Sequence, residues 1–209
     1  MNYLTLNSVL HRHKLALFTL IDLRHLFPNE SEKTIQNNLT RWLARKYCER
    51  LRRGVYQLLE PWNETDIPDL YIANRLYEPS YVSLETALSH YSMIPEVAVQ
   101  VTSVTTRPTR TFRNQYGSFF YRTCKVEAFV GYRLILYEGF KISIADQEKA
   151  LVDFLYFHSR SEIKVNCKEE RLNKAVLRKL DWGKARRYSR HYGKNVIESL
   201  QACLEYARC

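Results

Sequence analysis

No apolar run in the 209 residues approaches the length of a membrane span, and the N-terminus lacks the charged, apolar and small-residue succession of a signal peptide. Both absences lead to the expectation of a cytoplasmic protein with no membrane partner. There is no C-x-x-C pair: Cys48, Cys124, Cys167, Cys203 and Cys209 are odd in number and widely scattered. That spacing gives no sign of a disulfide framework or a zinc ribbon, and a reducing compartment is expected. A Gly-rich phosphate loop, a G-x-S-x-G elbow and an H-E-x-x-H helix are all missing, which removes the commonest nucleotide, serine-hydrolase and zinc-protease signatures. His11 and His13 are two apart and diverge on a helix, so no metal site is expected there, and no cofactor is implied elsewhere. Internal repeats and low-complexity tracts are also absent.

What the chain does have is positive charge at its ends. The formal net charge is +10 and the pI is near 9.4, which favours a polyanionic partner. Residues 1–62 hold ten Lys/Arg against five Asp/Glu, residues 63–160 hold ten against eleven, and residues 161–209 hold twelve against six. With 45% hydrophobic residues there is enough apolar material for one large or two small cores.

The most informative stretch is Pro28–Leu59. Ser31 is a good helix N-cap, and Ile35, Leu39, Trp42 and Leu43 recur at helical spacing as one buried face. The opposite face carries Lys33, Asn37, Thr40, Arg41 and Ala44, with Arg45 following. Two strand-like runs, Glu49–Arg52 and Val55–Leu59, then flank Arg53-Gly54, the pattern of a two-residue hairpin. Arg50, Arg52 and Arg53 crowd its tip. Upstream, Thr19 caps a helix bearing Leu20, Leu23, Leu26 and Phe27, and a short first helix precedes it. Helix, helix, turn, helix, hairpin is the order of a winged helix-turn-helix. In that fold the last helix enters the major groove and the hairpin touches phosphate or minor groove. The expected DNA-binding residues are therefore Lys33, Asn37, Thr40, Arg41, Arg45, Arg50, Arg52 and Arg53, in a domain spanning 1–62 with double-stranded operator DNA as its partner.

Residues 60–69 mix proline, acids and polar side chains and read as a linker. Beyond them, helices are expected at Leu70–Tyr77 and after an N-cap at Ser83. Strands are expected at Val97–Thr106, Thr111–Phe112, Ser118–Thr123, Tyr132–Tyr137 and Lys141–Ile144. An apolar helix, Gln147–His158, follows its cap Asp146. Residues 168–209 read as basic helices, with Asp181 as a cap and Val196–Ala207 as the last amphipathic helix. The expected fold class is α+β: a winged helix, then a mixed α/β domain over 63–209 with a mostly antiparallel sheet and a helical C-terminus.

Several of these strings together resemble the AbiEi family, antitoxins of type IV toxin–antitoxin and phage-abortive-infection systems. The resemblance lies in ERLRRGVYQL, IANRLYEPSYVSLETALSHYSMIPE, VTSVTTRPTRTF and FKISIADQEKALVDFLYF, and spans roughly residues 18–158. It implies an N-terminal winged helix that represses its own operon and a second domain that neutralises a nucleotidyltransferase-like toxin, without enzymatic activity of its own. The polar members of the matching strings are Tyr81, Ser83, Glu85, Arg107, Glu148, Lys149 and Asp153. The cluster Arg186, Arg187 and Arg190 lies outside the resemblance and is either a second DNA contact or ordinary surface. Two rivals use the same features. One is a stand-alone winged-helix regulator whose second domain senses a ligand. The other is a DNA-binding nuclease, for which Asp146, Glu148, Lys149 and Asp153 supply residue types but share one helix near its cap.

Overall fold

A computed structural model describes residues 2–13, 15–59, 66–96, 99–159 and 165–209. The chain forms two compact units, Met1–Leu76 with Asn114–Tyr116, and Tyr77–Arg113 with Gly117–Cys209.

The first unit opens with α1 (Tyr3–Arg12), capped by Asn2, and a short strand β1 (Leu17–Thr19). Thr19 then starts α2 (Leu20–Leu26) through a reciprocal capping box: Thr19 Oγ1 accepts from the Asp22 N–H and the Asp22 carboxylate accepts from the Thr19 N–H. Ser31 caps α3 (Glu32–Ala44), accepting from the Thr34 N–H at 3.1 Å. β2 (Cys48–Arg52) and β3 (Val55–Leu58) form the hairpin, and α4 (Asp69–Leu76) closes the unit. Arg52 pairs with Val55, leaving Arg53-Gly54 as the turn, where Gly54 takes φ +86°. The three strands lie in the order β1-β3-β2, all antiparallel. Leu6, Leu10, Phe18, Leu23, Ile35, Leu39, Trp42, Tyr56 and Leu58 share one core, so each helix buries the stripe its periodicity marks.

The expected boundary at 62 does not coincide with this unit's end at Leu76. Residues 60–65 of the expected linker lie outside the described residues, and Asp69 already begins α4. Ile72, Ala73 and Leu76 are fully buried, and Arg75 pairs with Asp22 at 2.8 Å, which ties α4 to α2.

In the second unit the strands are β4 (Ser80–Val82), β5 (Val101–Thr105), β6 (Arg110–Asn114), β7 (Gly117–Thr123), β8 (Tyr132–Tyr137) and β9 (Phe140–Ala145). They form one sheet in the order β6-β7-β5-β4-β9-β8. The expectation of a mostly antiparallel sheet misses its centre: β5–β7 and β4–β9 run parallel, while β4–β5 and β8–β9 are antiparallel. The parallel pairs join strands distant in sequence, a connection that local patterning does not report. β4 is also new, a three-residue strand just ahead of the expected helix cap at Ser83. The expected strand at 97–106 is realised over Val101–Thr105, with 97 and 98 outside the described residues. The helices are α5 (Leu84–His90), α6 (Gln147–His158), α7 (Lys174–Leu177), α8 (Trp182–Ser189) and α9 (Lys194–Arg208). Asp146 and Asp181 cap α6 and α8 as expected.

One cysteine expectation is overturned. Cys167 and Cys203 are bonded to each other, with Cα atoms 6.0 Å apart, where no disulfide was indicated. They are 36 residues apart, so only the packing of α9 brings them together. Cys48 and Cys124 are free and buried, and Cys209 is free and exposed. No helix among the described residues is long and apolar enough to cross a membrane.

Candidate functional site

Burying Ile35, Leu39 and Trp42 turns the other side of α3 outward, and Lys33, Asn37, Thr40, Arg41 and Ala44 are all exposed there. Arg45, the C-cap, is exposed as well. Arg41 is braced from its own helix, donating to Asn38 Oδ1 at 2.6 Å, and Thr40 donates to the Gln36 carbonyl at 2.9 Å. Arg50 and Arg53 stand exposed on the hairpin. Arg52 does not stand with them. Half-buried, it donates from Nε to the Leu76 carbonyl and from Nη1 to the Arg53 carbonyl at 2.7 Å. It therefore holds the end of α4 and leaves two hairpin arginines facing outward.

The second set of expected residues divides differently. Tyr81 on β4 and Ser83 just after it are two positions apart, so both point to one side. Lys149 and Asp153 are four apart on α6 and share a face. They converge. Asp153 Oδ2 accepts from Tyr81 Oη at 3.0 Å and from Ser83 Oγ at 2.8 Å, and Lys149 Nζ donates to Asp153 Oδ1 at 2.6 Å. Tyr192, from the α8–α9 connection, completes the set. Its Oη donates to Asp153 Oδ1 at 2.7 Å and accepts from Lys149 Nζ at 2.8 Å. Lys149 Nζ also lies 4.9 Å from the Tyr192 ring centroid and 6.0 Å from that of Tyr81. Tyr81, Ser83, Lys149 and Asp153 are each 0% exposed. A buried ion pair is tolerated only when its remaining valences are met, and here Asp153 accepts four bonds. Burial, then the Asp153 charge, holds the Tyr81 and Tyr192 hydroxyls well above the ordinary tyrosine range.

Ser83 was expected to cap α5. It occupies that position, but its hydroxyl makes no capping bond and goes to Asp153 instead. The next residue, Leu84, takes φ +58°, a left-handed conformation uncommon for leucine.

A second layer locks α8 to the start of α6. Asp146 Oδ2 accepts from Tyr188 Oη at 2.8 Å, and Lys184 lies 3.1 Å from both Asp146 Oδ2 and Glu148 Oε2. Glu148 Oε1 accepts from the Asp181 N–H at 3.1 Å. Burial opposes ionisation of Glu148, yet the Asp181 N–H and Lys184 outweigh it and hold the carboxyl below its usual range. Burial and the bond to Asp146 push the Tyr188 hydroxyl up to about 12. Gly131 sits against this layer: a Cβ there would lie 2.7 Å from Tyr188 Cζ and 3.0 Å from Lys149 Cβ.

Glu85 and Arg107 are not part of either layer. Glu85 Oε1 lies 3.4 Å from His158 Nε2 on the wall of a separate cavity, and Arg107 is exposed over the Tyr77 ring at 5.6 Å. Arg186 and Arg187 are exposed on α8, and Arg190 is exposed at its C-cap. Tyr192 and Tyr188 went unnoticed in the sequence because both lie outside the recognisable strings and no spacing links them to residues some forty positions earlier. Of the four carboxylate and lysine residues weighed for a nuclease, Lys149 and Asp153 are sealed from solvent, and Asp146 and Glu148 are occupied by Lys184.

No protein-family model matches the chain, and no curated protein matches it. Among solved structures it is similar to the RV2827C protein from Mycobacterium tuberculosis, with a TM-score of 0.63 and 11% sequence identity over 97% of this chain and 75% of that one. At that identity the likeness is one of fold.

Proposed function

We propose that the chain is an operator-binding antitoxin of the AbiEi type, cytoplasmic, with Met1–Leu76 as a winged helix and the second unit as the half that neutralises a nucleotidyltransferase-like toxin. The observation that carries the DNA-binding half is the outward face of α3, with Lys33, Asn37, Thr40, Arg41 and Arg45, followed directly by a hairpin presenting Arg50 and Arg53. A braced arginine on a helix face suits base-edge contact in the major groove, and hairpin arginines suit phosphate. The toxin-neutralising half rests on the family resemblance, and the reading gives this chain no catalytic role.

The test has two arms. Full-length protein is titrated with duplex DNA from upstream of its own gene and with a scrambled duplex across a salt series. The neighbouring gene is then expressed alone and with this chain. Sequence-selective binding together with rescue of growth supports both halves. Equal binding to both duplexes removes the operator, and a neighbour that is harmless when expressed alone removes the antitoxin.

A second reading, a regulator that senses a small ligand, has one observation in its favour. A cavity of about 520 Å³ in the second unit is lined by Glu85, Ile94, Thr102, Phe154 and His158 among others, within the size range of small-molecule sites. A catabolic gene as neighbour, with a metabolite that changes operator affinity, would favour this reading over the antitoxin.

A further inference from the structure

In the second unit, α8 and α9 leave a slot of about 190 Å³ between them, lined by Trp182, Arg186, Arg190, Ile197, Leu200 and Leu204. The floor is apolar and open, and Ile197 is 45% exposed. The rim is cationic. Arg186 reaches across to Gln201 Oε1 at 3.3 Å. Among the described residues no carboxylate pairs with Arg186, Arg187 or Arg190, while Lys184 on the same helix is held by two. The scaffold under the slot is firm, because Lys184 and Tyr188 fasten α8 to α6.

An exposed arginine needs no partner, and a small apolar slot alone is ordinary surface. Their coincidence is selective. A phosphate backbone would satisfy the guanidinium groups but has no apolar side chain to fill the space between Trp182 and Ile197. An apolar peptide would fill the slot and leave the rim unused. The complement to both is an apolar side chain with carboxylates beside it, since arginine pairs carboxylates in bidentate geometry. We infer that the α8–α9 slot docks an acidic segment of a partner protein through one apolar side chain flanked by carboxylates. The inference stands whether or not the operator-binding reading does.

The probe is an array of immobilised peptides in which one variable residue is framed by glutamate and aspartate, matched by a second set framed by lysine. Full-length protein should bind the acidic frames when the variable residue is Leu, Ile, Phe or Met, and bind poorly when it is Ala. The double variant Arg186→Glu/Arg190→Glu should lose about tenfold or more of that affinity and shift its preference to the lysine frames. A reversal of specificity is itself proof of an intact fold. Ile197→Asp should also abolish binding, with an unchanged far-UV spectrum and melting profile. The inference is overturned if apolar variable residues bind no better than Ala, or if the charge reversal leaves peptide binding unaltered. It is equally overturned if the variants lose only duplex-DNA affinity with a shallower salt slope, which would make this face a nucleic-acid contact.

Discussion

Removing the Asp153 carboxylate strands a fully buried ammonium, and Lys149→Met made alongside it tells how much of the loss belongs to the pair. Asp153 accepts from Tyr81, Ser83, Lys149 and Tyr192, all within 2.6–3.0 Å. Breaking a buried pair from one side costs about 3–5 kcal/mol, and each hydroxyl left without an acceptor adds to it. Asp153→Leu should therefore cost about 5 kcal/mol, a large share of the roughly 5–15 kcal/mol that holds a domain folded. Lys149→Met should cost less, about 3 kcal/mol, because three hydroxyl donors still face the carboxylate. The double variant buries no charge and should fall short of the sum by about 2–3 kcal/mol. Urea unfolding of the full chain, followed by far-UV circular dichroism, reads this directly. With a slope of about 2 kcal/mol/M, the Asp153→Leu midpoint should drop by about 2 M. Additivity within about 0.5 kcal/mol, or a single-variant loss below about 1 kcal/mol, would refute a buried, mutually dependent pair.

Arg50→Ala with Arg53→Ala should flatten the salt slope of DNA binding by up to about two, roughly 0.9 per phosphate contact, whereas Arg52→Ala should leave the slope intact and lower thermal stability instead. Arg41→Ala should weaken the operator by about 1–3 kcal/mol relative to a scrambled duplex if it reads a base edge; an equal loss on both would limit it to phosphate. Gly131→Ala should destabilise the second unit by about 3 kcal/mol, combining a disfavoured φ of +78° with the clash against Tyr188, and wild-type urea stability would show both assignments wrong. The Tyr188 hydroxyl, raised from 10.0 to about 12, favours the fold while neutral, so its contribution is complete below pH 10 and disappears as pH rises towards 12. Tyr188→Phe should make stability fall less steeply across that interval in pH-dependent urea titrations, and an unchanged slope would count against the bond to Asp146.

The first unit was the more legible half because its determinants are local. Ser31 and Thr19 act within three residues of themselves, and the turn at Arg53-Gly54 is defined by its own dipeptide. What pattern could not supply was β1, three residues long and paired with β3 across some forty residues. In the second unit the same limit hid β4 and both parallel pairings. Arg52 shows the limit at the scale of one side chain. By composition it belongs with Arg50 and Arg53, yet the Leu76 carbonyl, supplied by α4, draws it inward.

The buried cluster carries this further. Of the polar residues singled out in recognisable strings, Tyr81, Ser83 and Lys149 gather about Asp153, Glu148 joins the layer beside them, and Glu85 and Arg107 stand apart. Four of them are inaccessible to any partner, and Glu148 is spent on Lys184 and the Asp181 N–H. A string of polar residues that becomes a sealed network constrains sequence through architecture, since each member fails alone once another is removed. Contact with another macromolecule therefore has to use residues other than this buried set, such as the exposed arginines of the hairpin and of α8. The exposed Arg186, Arg187 and Arg190, which no carboxylate among the described residues pairs, stand on or at the end of α8, the helix that Tyr188 and Lys184 fasten to the α6 cap. Loosening the network should then weaken docking at α8 without touching it. Lys184→Met, which removes the ion pairs to Asp146 and Glu148 and leaves the Tyr188 hydroxyl and Asp181 N–H bonds to them, should lower peptide affinity at the α8–α9 slot while leaving DNA binding by the first unit unchanged. Undiminished peptide affinity in that variant would separate the two features and leave the cluster a matter of stability alone.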